Sequence, residues 1–150
     1  MVRLFLSLAL ASTCIGGLAQ SKVKLDADDV SLQDGRTVVE LVSRLLPSED
    51  VYAQKSPGQF PLRVRVLTNV KVSMNGTPVF VPRSAYADLA WVQHATLHHG
   101  ILMVQGGDAS ESYNVRIRFN SKRVMERRVF AGSSGSNLLE MTNYREVIVE

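Results

Sequence analysis

Cysteine is nearly absent from this chain: among 150 residues there is one, Cys14. It lies within the opening stretch MVRLFLSLALASTCIGGLAQ. That stretch has a single charge at Arg3, an apolar run from Leu4 to Ala11 and small residues up to Ala19, the layout of a secretory signal peptide. With residues 1–19 removed, the chain from Gln20 onward has no thiol, which excludes disulfides and thiol nucleophiles. Export without disulfides suits a bacterial cell envelope better than a small animal secreted protein, which is usually stapled. The expected location is periplasmic or secreted. The rival expectation is a lipid anchor on Cys14, disfavoured because Ala11-Ser12-Thr13 is an unusual approach to a lipidation site.

Long hydrophobic runs are missing too. A helical span needs about 20 apolar residues; the Leu4–Ala11 run is too short and no later stretch is longer, so no transmembrane span is expected. At this length one core of ordinary size is feasible, and residues 20–150 are expected to form a single domain. Aromatics make up only 7% of the chain, and none is interleaved with the basic strand residues described below. Bases would then have no stacking platform, and no nucleic-acid partner is expected.

Several chemical signatures are also absent. DADD, Asp26 to Asp29, fails as an EF-hand loop, because the later ligand places hold Val30 and Ser31. GGDASESY and AGSSGSN contain neither Gly-x-Ser-x-Gly nor a P-loop ending. A triad of Ser110, His94 or His98, and Asp108 has no sequence support beyond the presence of those residues. Asn75-Gly76-Thr77 matches a glycosylation sequon, but the asparagine is committed to a tight turn, and no glycan is expected.

What is present begins with the histidines. His94, His98 and His99, the only three in the chain, all fall within VQHATLHHG. No glutamate follows His94, so His-Glu-x-x-His is absent. On a helix His94 and His98 would lie one turn apart; on a strand the same step covers roughly 13 Å and points His98 and His99 to opposite faces. Trp91, Val92, Thr96 and Leu97 favour a strand, so no metal site and no cofactor is expected. A metal site or a small hydrolase site built on His94, His98 and His99 is the alternative.

Hydrophobic periodicity organises the rest. In DGRTVVELVSRLLP the residues Val38, Leu41, Val42, Leu45 and Leu46 recur at helical spacing, with either Thr37 and Glu40 as a capping box or Asp34 as a cap one turn earlier, and Pro47 as a stop. In LRVRVLTNVKVSM the period is two, and a run of this length predicts a bend or bulge near Thr68-Asn69. Asn75-Gly76 then predicts a tight hairpin pairing Met74 with Thr77, Val72 with Val79 and Val70 with Val81, with Pro78 marking an edge strand. Further runs separated by short polar turns predict antiparallel meanders. RVMERRVF is compatible with a strand or a short helix. The expected architecture is α+β: one N-terminal amphipathic helix packed on a largely antiparallel sheet of about six strands.

Charge is concentrated in the middle of the chain. Residues 55–130 hold eleven basic and four acidic side chains, against four and seven in residues 20–54. Parity places Arg63, Arg65 and Lys71 on the polar face of one strand and Arg116 and Arg118 on that of another, and a single-sheet fold would put all five on one side. Such a face would attract an acidic protein or another envelope polyanion, Arg65 and Arg116 being the favoured contacts. The function expected is that of a small exported binding or inhibitor-like module without catalysis.

Overall fold

The structure, a computed structural model, describes residues 22–47, 63–107, 111–132 and 134–145. The expected signal peptide at residues 1–19 with Cys14, and Asp108 and Ser110 of the triad considered above, lie outside these ranges. Within them the backbone forms ten strands and one short 3₁₀ turn, Arg83–Ala85. The strands are β1 (Val23–Lys24), β2 (Asp29–Asp34), β3 (Thr37–Pro47), β4 (Arg63–Met74), β5 (Thr77–Val79), β6 (Val92–His98), β7 (Ile101–Gly106), β8 (Tyr113–Phe119), β9 (Val124–Ala131) and β10 (Asn137–Asn143). They make two antiparallel sheets, one ordered β1-β6-β7-β8-β9-β10 and one ordered β2-β3-β4-β5. No described helix packs on either sheet, and the α+β expectation is corrected to an all-β arrangement. Among the described residues no helix is long and apolar enough to cross a membrane.

The expected helix is strand β3. Burial along it follows period two, with Thr37, Val39, Leu41 and Ser43 buried and Glu40 and Arg44 exposed. Thr37, Val38, Val39 and Val42 are β-branched and favour extended backbone. The intended N-cap is instead a hairpin: Asp34 pairs with Thr37 around Gly35-Arg36, and Gly35 has φ 58°. Leu45 and Leu46 completed the imitation of a helical stripe, although Leu45 is exposed in the strand.

That bulge lies where the length of β4 predicts it. Val42 pairs with Asn69 but Ser43 pairs with Leu67, so Thr68 is the extra residue. An extra residue reverses the parity of everything before it. After the bulge, Val70 and Val72 point into the core; before it, Leu67 does. Arg65, two residues further back, therefore shares the face of Leu67 and Ser43.

The Asn75-Gly76 turn has both residues at positive φ, 53° and 76°, the type I′ geometry whose twist matches the strands. Met74 pairs with Thr77 and Val72 with Val79 as expected, and Pro78 lies on β5, an edge strand; β5 ends at Val79, so the expected pairing of Val70 with Val81 does not form. RVMERRVF resolves as β9. β6 through β10 run as a continuous meander, while β1 returns to pair with β6.

The two sheets pack face to face through one core. Leu32, Val39, Leu41, Leu67, Val70 and Val72 come from the smaller sheet, and Val92, Ala95, Leu97, Leu102, Val104, Val115, Ile117 and Phe119 from the larger. The chain crosses between sheets around the 3₁₀ turn, where Ala85, Tyr86 and Leu89 are buried and the Leu67 amide donates to the Leu89 carbonyl. Gly106 permits this crossing to close: the ring of its cross-strand partner Tyr113 lies over it, and the Tyr113 hydroxyl donates to the Ala90 carbonyl. Arg127 points inward from β9 opposite Ile117 and is buried; it is ion-paired to Asp88 of the crossing and Glu140 of β10.

Candidate functional site

Because the inner face of each sheet is filled, chemistry is confined to the outer faces and the turns. On the larger sheet, register places Lys24, His94, Thr96, Met103, Gln105, Asn114, Arg116, Arg118, Glu126, Arg128 and Phe130 on one outer face. Part of this face is hollowed into a cleft of about 210 Å³ lined by Lys22, His94, Ala95, Thr96, Met103, Gln105 and Asn114. That is below the several hundred cubic ångströms of a drug-sized site and suits one side chain or a short segment.

The cleft is polar for structural reasons. His94 stands between Lys24 on β1 and Gln105 on β7. Burial, and then the nearby charges of Lys22 and Lys24, hold its pKa below the ordinary 6.5, so it is a neutral imidazole at neutral pH. Asn114 is buried, although it points away from the core, because the turn between β9 and β10 folds back on it. A Cβ on Gly135 would lie 3.7 Å from the Asn114 amide carbon and 2.8 Å from an Arg116 nitrogen. The Asn114 Oδ1 is left without a hydrogen-bond partner, which is costly for a buried acceptor.

The five basic residues singled out by parity do not share a face. Lys71 is on the smaller sheet opposite Glu40, 3.7 Å from its carboxylate, and Arg63 is exposed at the start of the same strand. Arg65, turned inward by the bulge, is a structural tie: its guanidinium donates to Ser43 Oγ at 2.9 Å, to Asp28 Oδ1 and the Ala27 carbonyl at 3.1 Å, and to the Asp26 carbonyl at 3.1 Å. DADD thus spans the turn from β1 into β2; its four residues are exposed, and Arg65 ties the turn to the sheet. Only Arg116 and Arg118 remain together, on the larger sheet. Arg116 lies 4.5 Å from the centre of the Phe130 ring, and Arg118 is 3.8 Å from Glu126.

The strand reading of the histidine segment holds to His98 and then fails in an instructive way. His94 and His98 are four residues apart on β6. His99 and Gly100 are the two turn residues, at φ 47° and 72°, so His99 does not alternate with His98. The two rings are in edge contact, with centroids 3.8 Å apart. Asp34, at the end of β2 on the other sheet, joins them by accepting the His99 amide at 2.7 Å. Sequence reasoning missed Asp34, and no local signal connects positions 65 residues apart.

Ser112 is exposed before β8, and among the described residues no serine hydroxyl bonds a histidine. No protein-family model, curated protein or solved structure matches the chain. The site geometry therefore has to carry the functional reading.

Proposed function

We propose that the chain is an exported, non-catalytic binding module that takes an acidic segment of a partner protein on the outer face of its larger sheet. The supporting observation is an imbalance of charge around the cleft. Lys22, Lys24, Arg116, Arg118 and Arg128 surround it or lie along the same face, five cations against two carboxylates: Asp26, 3.8 Å from Lys24, and Glu126, which pairs with Arg128 at 2.8 Å and lies 3.8 Å from Arg118.

A carboxylate entering the cleft meets the Lys22 ammonium and the hydrogen-bonding groups of Thr96, His94 and Gln105. The surrounding cations steer the approach and make it dependent on salt.

Fluorescence anisotropy with a labelled glutamate-rich peptide tests this reading on a chain beginning at Gln20. Lys22→Glu with Arg128→Glu, both exposed, should weaken binding at least tenfold, and raised salt should weaken the wild type similarly. Equal binding of a glutamine-rich peptide, or no effect of charge reversal, defeats the proposal. Intact mass of the protein from its native host tests the location: a chain starting at Gln20 supports a soluble exported protein, an acylated chain starting at Cys14 an exported and lipid-anchored one, and an uncleaved chain overturns export.

A further inference from the structure

Independently of the cleft, we propose that Asp34, His98 and His99 form a binding site for a late first-row divalent metal ion such as zinc. One ligand atom from each residue lies within 4.8 Å of the other two. Three points so placed fit within a circle of radius about 2.8 Å, and zinc–nitrogen and zinc–oxygen bonds are about 2.1 Å. An ion at the centre therefore needs each donor to move by only about 0.7 Å, within reach of side-chain rotation.

The backbone prepares this convergence. A type I′ turn requires positive φ at both central residues, and His99 adopts it at 47°. That conformation swings its ring back beside His98 instead of across the sheet. The carboxylate comes from the neighbouring hairpin tip, where Asp34 closes the Gly35-Arg36 turn, and the His99 amide fixes it in place. The ligands thus come from both sheets, and a bound ion would clamp the two hairpin tips at one end of the sandwich.

The donor set selects the ion. Two imidazole nitrogens and one carboxylate oxygen suit zinc, copper(II) or nickel, whereas calcium and magnesium prefer oxygen alone. Asp34 and His98 are half-buried and His99 is exposed, so the remaining coordination positions face solvent and can take water or an outside ligand.

A simpler account is that Asp34 serves only as the acceptor for the His99 amide. Asp34→Asn separates the two, since an asparagine oxygen keeps that hydrogen bond but not the anionic ligand. Untagged protein should be titrated with zinc by calorimetry and with cobalt(II) by its visible spectrum. One-to-one zinc binding is expected, weakened at least tenfold by Asp34→Asn, by His98→Gln and by His99→Asn, the last chosen because asparagine tolerates the turn's positive φ. Circular dichroism confirms that each variant keeps its strands, and calcium should give no saturable heat. Zinc binding that is absent, that survives all three substitutions, or that is lost instead in His94→Ala overturns the site.

Discussion

Arg127 offers the sharpest test of how this sandwich is held together, because its partners differ from it in exposure. The guanidinium side chain is 4% exposed, while Asp88 and Glu140 are 59% and 53% exposed. Its Nε already lacks a partner. Removing both carboxylates, as Asp88→Ala with Glu140→Ala, strands a buried cation, and a buried charge left without its partner costs about 3–5 kcal/mol. Removing the cation is a different perturbation. In Arg127→Met the two carboxylates return to water they already touch, and the flexible apolar chain refills most of the volume, for a cost of under about 1.5 kcal/mol. With a urea m-value of about 2 kcal/mol/M, the carboxylate double variant should unfold about 2 M earlier than wild type and Arg127→Met less than about 1 M earlier. Adding Arg127→Met to the double variant should recover most of the loss. Urea unfolding followed by tryptophan fluorescence measures all four proteins. If Arg127→Met proves as damaging as the double variant, or fails to rescue it, the stability comes from the ion pairs themselves and the desolvation argument is wrong.

Gly106→Ala would place a Cβ 2.6 Å from the Tyr113 ring and 2.8 Å from the Trp91 carbonyl oxygen; a loss of about 2 kcal/mol is expected in thermal or urea unfolding, and a neutral result would show that the crossing can shift. Arg65→Ala should cost about 2 kcal/mol through its lost hydrogen bonds, and Arg65→Lys should restore less than half, since lysine lacks the guanidinium fork; full recovery in Arg65→Lys would mean that charge alone matters. For His94 the folded-state pKa lies below the unfolded value of 6.5, so on acidification the unfolded chain takes up the proton first. The stability linked to His94 is therefore complete above that value and lost as pH falls through the folded one. Proton NMR should show His94 titrating below the ordinary histidine range and rising in both Lys22→Gln and Lys24→Gln; no rise in either would leave burial as its sole cause.

The elements read correctly from sequence were those whose signal is local. Asn75-Gly76 has the residues that positive φ requires, and its hairpin register follows from counting outward. Pro78 marked an edge because it has no amide to donate, and the length of β4 called for a bulge at Thr68-Asn69. Strand β3 was misread because three valines, a threonine and three leucines fit either period, and only the neighbouring strands, which supply hydrogen bonds along both its edges, make the extended form prevail. The same bulge shows where parity stops: one unpaired residue, Thr68, turned Arg65 from a surface contact into an internal tie. Composition and local pattern determined that this chain lacks thiols after residue 19, has no apolar run of about 20 residues, and carries its cations in the middle. Tertiary structure decided which of those cations share a surface, that Asn114 lines a cleft beside His94, and that Asp34 meets His98 and His99. Those outcomes depend on which strand pairs with which and on how the two sheets stack, interactions between residues far apart in the chain that leave no trace in the local spacing of side chains.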